Sequence, residues 1–229
     1  MSLYFILLLS SVLLPLALSF DKKLQFYKQW KYLLPSILLI ALFYIAFDIY
    51  LTKLDVWGFN ARYHSSIVLL NLPIEEWLFF IVIPYASIFL HDSIVQCFSR
   101  FRLTNTVAKY ITLCLILISL ILVTLNLEKA YSTYIFSTLI LVLLVSFFDK
   151  TKIINSFYCT FLIILIPFIG VNAVLTGSFI DEPVVWYNNS ENLGIRFLTI
   201  PIEDFGYAFS LLLFNLLLRN KLKICNYAD

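Results

Sequence analysis

Two short stretches of this 229-residue chain place paired carboxylic acids where proton chemistry is possible. Leu72-Pro73-Ile74-Glu75-Glu76-Trp77-Leu78-Phe79-Phe80 has an echo in Ile200-Pro201-Ile202-Glu203-Asp204-Phe205-Gly206-Tyr207-Ala208-Phe209. Each reads proline, aliphatic residue, two acids, then an aromatic-rich apolar run, and each predicts the first turns of a membrane helix. Proline suits the first helical position, where its missing N–H costs nothing. Carboxylates in the first turn face the positive end of the helix dipole. The same acids are expensive deeper in a bilayer, so acids beside a membrane helix raise a functional question. Residues four apart share a helix face, while successive ones point about 100° apart. Glu75 therefore stacks with Phe79, Glu76 with Phe80, Glu203 with Tyr207 and Asp204 with Ala208. Each pair splits, one acid able to face the bundle and the other the loop or lipid edge. An acid above an aromatic wall in an apolar cavity can keep its proton, because desolvation disfavours the carboxylate. Two neighbouring acids do not easily ionise together, whereas the helix dipole acts the other way. A proline and two acids are also simply a favourable helix start, and a duplicated unit inherits its caps.

The elements that must position these acids are apolar runs. Hydrophobic residues make up 62% of the chain and charged ones 13%, with a mean hydropathy of +0.93. A soluble domain of this size does not carry so much apolar surface, so the composition reads as an integral membrane protein. Runs of about 18–22 residues read as spans, and seven are expected: Leu3–Phe20, Leu33–Tyr50, Ile74–Val95, Val107–Leu125, Tyr131–Phe148, Phe157–Thr176 and Ile202–Leu218. Two connections are long and aromatic, Leu51–Pro73 and Gly177–Pro201. Ala17-Leu18-Ser19 resembles a signal-peptide cleavage site, but no positive segment precedes the first run and Lys22 and Lys23 follow it, so it is expected to be retained. Cys97, Cys114, Cys159 and Cys225 are scattered, with no Cys-x-x-Cys and no Cys/His cluster, which argues against a disulfide framework or metal site. No nucleotide or flavin glycine motif is present, so no cofactor is expected. The basic residues lie in loops rather than in one patch, which gives no footprint for nucleic acid.

Twelve of the sixteen Lys and Arg residues fall on one side of the expected topology, against Lys53, Arg62, Lys129 and Arg196 on the other. The richer side is expected to be cytoplasmic. The N-terminus, both long loops and both acid pairs then face outward and the C-terminus inward, with the plasma membrane as the expected location. A repeat is also visible. Phe20-Asp21-Lys22 recurs as Phe148-Asp149-Lys150, 128 positions later, and Pro73-Ile74-Glu75-Glu76 recurs as Pro201-Ile202-Glu203-Asp204 at the same offset. Trp57 and Asn60 match Trp186 and Asn189 with one residue of slippage. The expected fold is therefore all-α, about seven transmembrane helices in two parallel three-helix repeats, residues 1–100 and 131–229, joined by a linker helix within 101–130. Both acid pairs then end at one membrane face and can line one cavity. Asp48 lies in the outer part of the second span and Asn172 in that of the sixth; an intramembrane Asp favours a role, whereas Asn is commonly interhelical glue. His91 and Asp92, near the other end of the third span, have no repeat partner and read as interfacial. Trp57, Trp186 and Tyr187 fit an aromatic belt, or equally the wall of a cavity that tolerates positive charge.

Two Pro-x-Glu-Glu/Asp helix starts on three-span units in one chain resemble the membrane-embedded lycopene cyclases of the heterodimeric or fused type. The four-residue motif is weak alone; its doubling in register within this topology is specific, and the resemblance covers nearly the whole chain. It implies an enzyme acting on a carotenoid hydrocarbon dissolved in the bilayer, converting lycopene to β-carotene by way of γ-carotene. A proton adds to the terminal double bond, the C5=C6 double bond attacks the cation, and a proton leaves the ring, with no net redox and no cofactor. The family's motif acids fall on Glu75, Glu76, Glu203 and Asp204. One from each pair is expected to act as acid and base, with each pair serving its own site as the alternative, and Glu75→Gln or Glu203→Gln is expected to cut cyclisation. Asp48, Phe79, Phe80, Trp186 and Tyr207 are the expected substrate-facing residues. The match leaves open an ε- or C50-type cyclase. A small transporter of three, one and three spans shares the topology, but spans one and five lack the Pro-Gln pair of the sugar carriers with that plan.

Overall fold

The seven apolar runs become seven helices in the computed structural model, which describes residues 1–225. They are α1 (Leu3–Leu18), α2 (Trp30–Lys53, led in by a 3-10 turn at Phe26–Gln29), α3 (Ile74–Cys97), α4 (Asn105–Leu125), α5 (Ala130–Ser146), α6 (Ile154–Leu175) and α7 (Ile202–Cys225). Residues 226–229, the end of the expected second unit and of the expected cytoplasmic tail, lie outside the described residues. Four helical stretches are long and apolar enough to cross a membrane: Phe26–Lys53, α3, α4 and α6. Helices α1 and α5 are shorter and apolar. Helix α7 carries Glu203 and Asp204 in its first turn and buries Asn215 and Arg219, which dilutes its apolar run.

The two long loops are not wholly irregular. They hold six strands of two or three residues, a difference from the all-helical expectation that such short pieces leave no alternation to reveal. Strand β1 (Trp57–Phe59) pairs antiparallel with β4 (Val185–Tyr187), Gly58 opposite Trp186, so the loops of the two halves meet at one end of the bundle. Strands β2 (Val68–Leu69) and β3 (Leu72–Pro73) form a hairpin, and β5 (Arg196–Phe197) and β6 (Ile200–Pro201) repeat it. Val68 faces Pro73 as Arg196 faces Pro201, 128 residues on. Both prolines close a hairpin, one residue ahead of the expected first helical position; Pro73 is the extended cap of α3, with φ −62° and ψ 151°. The first helical N–H is met by the loop in both copies: Ile74 donates to the Ile67 carbonyl (2.9 Å) and Ile202 to that of Ile195 (3.0 Å).

Helix α1 packs on α3 and α5 on α7, whereas α2 packs on α7 and α6 on α3. Helix α4 lies against α5 and touches α6. In lipid, burying an apolar side chain gains little over leaving it among acyl chains, so association rests on close packing. Gly206 supplies such an approach: a Cβ there would stand 3.1 Å from Ile135 Cγ2, and Ile135 is buried. Gly206→Leu is expected to overpack the α5–α7 seam and destabilise the fold by about 1–3 kcal/mol. Thermal unfolding in detergent reads this, with the exposed Leu141→Ala as control; equal melting of the two variants would mean that the seam is loose.

At the far end of α3 and α7, Arg219 donates to both carboxylate oxygens of Asp92 (2.6 and 3.0 Å). His91, expected at an interface, is instead buried in the bundle, with Nδ1 2.6 Å from Thr160 Oγ1. The positions 128 residues after His91 and Asp92 hold Arg219 and Asn220.

Candidate active site

A cavity of about 400 Å³ lies among α1, α3, α6 and α7, with Asp48 of α2 at one end. Its α3 wall runs from Glu76 to Leu90, and at 1.5 Å per residue this makes a slot about 20 Å long. Glu76, Asp204 and Asp48 gather at one end. Ile83, Leu90, Ile164 and Leu212 typify the rest of the wall, which is predominantly apolar.

Each of these three acids is held by tyrosine. The Tyr4 hydroxyl donates to Glu76 Oε2. Tyr131 donates to Asp204 Oδ1 (2.6 Å) and Tyr187 to its Oδ2 (3.0 Å). Tyr207 donates to both Asp48 oxygens at 3.2 Å. Tyr4 and Tyr131 are each the second residue of a helix, α1 and α5, and lie 127 positions apart. Helix α1 packed on α3 therefore does for Glu76 what α5 packed on α7 does for Asp204. Tyr187 comes from the loop strand β4. Burial and the neighbouring Asp204 carboxylate push its hydroxyl well above the ordinary phenol range, so it stays a donor at any physiological pH.

The first acid of each pair is used differently. Glu75 Oε1 accepts from the Ser2 hydroxyl (2.6 Å) and the Ser65 N–H (2.7 Å), and its Oε2 from the Ser65 hydroxyl (3.0 Å). Glu203 Oε1 accepts from the Ser132 hydroxyl (2.6 Å) and the Leu193 N–H (2.7 Å). Both fasten a helix start to the loop before it and to the helix beside it. Neither lines the cavity. The pairs do split, and in each the second acid is the one that faces inward.

Of the expected substrate-facing residues, Asp48, Phe79 and Tyr207 line the cavity. Phe80 is buried one layer behind, its ring 6.3 Å from those of Tyr44 and Tyr207. Trp186 is 37% exposed and lies over Gly58 on the outer side of the β1–β4 ladder. The loop residues at the acid end are instead Trp57 and Tyr187, and Asn172 lines the cavity from α6. Among the described residues the ion pairs are Arg62–Asp181 and Arg219–Asp92, and neither includes a cavity acid. Arg196 stands 5.8 Å from the centre of the Tyr187 ring, held by the Thr199 carbonyl and Asn189 Oδ1 (both 2.7 Å).

The arrangement offers a carboxyl that can give a proton and another that can take one, at the end of an oily slot. Aromatic faces beside them suit a passing cation. A family model described as lycopene cyclase matches the chain over residues 1–94 and 128–222. No curated protein and no solved structure matches it.

Proposed function

Because this chain belongs to the lycopene cyclase family, we propose that it closes rings on lycopene, giving β-carotene by way of the one-ring γ-carotene. One cavity carboxyl adds its proton to the terminal double bond, leaving a tertiary cation. The C5=C6 double bond attacks that cation and closes the ring, which moves the positive charge to C5. A cavity carboxylate then takes a proton from C6, and the new ring double bond forms. One proton is added and one lost, so the product is an isomer of the substrate. The observation that carries this reading is that Glu76 and Asp204, one from each half, share the end of one elongated apolar cavity. Glu76, with one phenol donor, suits the acid; Asp204, with two, suits the base, which starts as the carboxylate and ends protonated. Asp48 and the rings of Phe79 and Tyr207, which line the same cavity, stabilise the cation.

The membrane arrangement proposed with it has seven spans. Residues 1–100 and 131–229 are parallel units joined through α4, with the N-terminus outside and the C-terminus cytoplasmic in a plasma membrane. Two features support it: the family match falls in two segments that leave out residues 95–127, and the hairpins that lead into the acid-bearing helices recur in the same register. Expression in lycopene-producing cells is expected to turn them from red towards orange-yellow. Pigment chromatography identifies the ring isomer and the number of rings. Unchanged lycopene in cells that contain the inserted protein would overturn the reading.

A further inference from the structure

We infer that the cavity opens sideways into lipid between α1 and α6, and that the two ends of the substrate are cyclised in turn at this single site, the one-ring product leaving and returning end for end. The inference rests on the cyclase reading and specifies its substrate path.

Burial changes sharply along the cavity wall. At the acid end Tyr4, Asp48, Glu76 and Asp204 are buried. Further along, Ser10 and Leu14 on α1 and Pro167 and Gly170 on α6 line the cavity and are exposed. A residue that does both marks a mouth. Ser10 is the eighth residue of sixteen in α1, and Pro167 the fourteenth of twenty-two in α6. The mouth therefore lies part-way along the helices, facing acyl chains rather than water. A Cβ on Gly170 would meet nothing within 4 Å, so the gap at that lip is open.

The other half of the repeat is closed at the matching place. Between α2 and α5, Phe47 stacks on Tyr134 with ring centres 4.6 Å apart. Behind that contact α2 meets α7, Phe43 against Phe214 at 6.1 Å and Tyr44 against Tyr207 at 5.1 Å. Where α2 fills its seam with rings, α6 offers a proline and a glycine. The duplication thus yields one chamber holding an acid from each half, and the two acid pairs do not serve separate sites.

A slot of about 20 Å is shorter than a polyene able to cross a hydrocarbon core of about 30 Å. With one end at Glu76 and Asp204, the remainder of the molecule trails through the mouth into the bilayer. The second end reaches the acids only after the first has left.

The test narrows the mouth from each lip, with Gly170→Phe and separately Ser10→Phe. Leu162→Phe, on the outer face of α6 and away from the cavity, is the control. In lycopene-containing vesicles each lip variant is expected to lower ring formation on the order of tenfold, with the control unchanged. A second measurement adds labelled lycopene to the wild-type protein together with excess unlabelled one-ring carotenoid. Labelled two-ring product is expected only after labelled one-ring product has built up in the vesicles. Lip variants within twofold of wild type, or labelled two-ring product formed from the first turnover without a free one-ring pool, would overturn the inference while leaving the cyclase reading standing. A wild-type protein that forms no ring at all overturns both.

Discussion

Glu76→Gln and Asp204→Asn are each expected to lower ring formation on the order of 10²–10⁴-fold, the range general acid–base catalysis contributes. The amides match the carboxyls in size and keep one carbonyl oxygen, which accepts from Tyr4 at position 76 and from Tyr131 at position 204, where the Tyr187 hydroxyl turns to accept from the amide N–H, so the cavity and the helix starts persist. What is lost is the ability to hand over or remove a proton. Pigment analysis of equal amounts of inserted protein reads the loss. If both variants cyclise within twofold of wild type, the two inward acids are not the acid and base.

The neighbouring acids are expected to respond in the opposite way. Glu203 is buried, and its Oε1 holds the Ser132 hydroxyl and the Leu193 N–H, while its Oε2 is buried without a partner among the described residues. Glu203→Ala strands two buried donors, at about 1–3 kcal/mol each. The variant is expected to unfold at a markedly lower temperature in detergent and to accumulate poorly. Glu203→Gln keeps a carbonyl oxygen for both donors and sets its amide nitrogen where no bond is lost. It is expected to stay close to wild type in melting and in pigment conversion. A well-folded Glu203→Gln protein as inactive as Asp204→Asn would show that the outer acids take part in the chemistry. Expected from sequence alone, Glu203→Gln was a disabling change; the serine and backbone donors around Glu203 are what separate it from Asp204.

Much of the fold was readable because long apolar runs carry strong signals. The starts and ends of most helices fall within a few residues of the expected limits, and the 128-residue echo marked two acid-bearing helix starts, although not the hairpin that leads into each. The β1–β4 ladder was not readable, since three residues such as Trp57-Gly58-Phe59 hold too little pattern to name a partner strand. At the site, helical periodicity showed that each acid pair divides. It did not show which member turns inward, because that depends on where α1 and α5 lie against α3 and α7. Tyr4 and Tyr131 were overlooked, although a tyrosine recurring 127 positions later at the second residue of each unit's first helix was a usable sign. Trp186 was a reasonable wall candidate, yet the alternation of side chains along β4 turns it outward and its neighbour Tyr187 inward.

The second helix of each half leans on the third helix of the other, α2 on α7 and α6 on α3. Helix α2 also packs on α3 of its own half, yet the cavity takes lining from both halves, so each contributes part of the interior of the other. A chain severed within the α4 connection is therefore expected to yield two fragments that fold only in each other's presence, each supplying the helix on which the other's second helix rests.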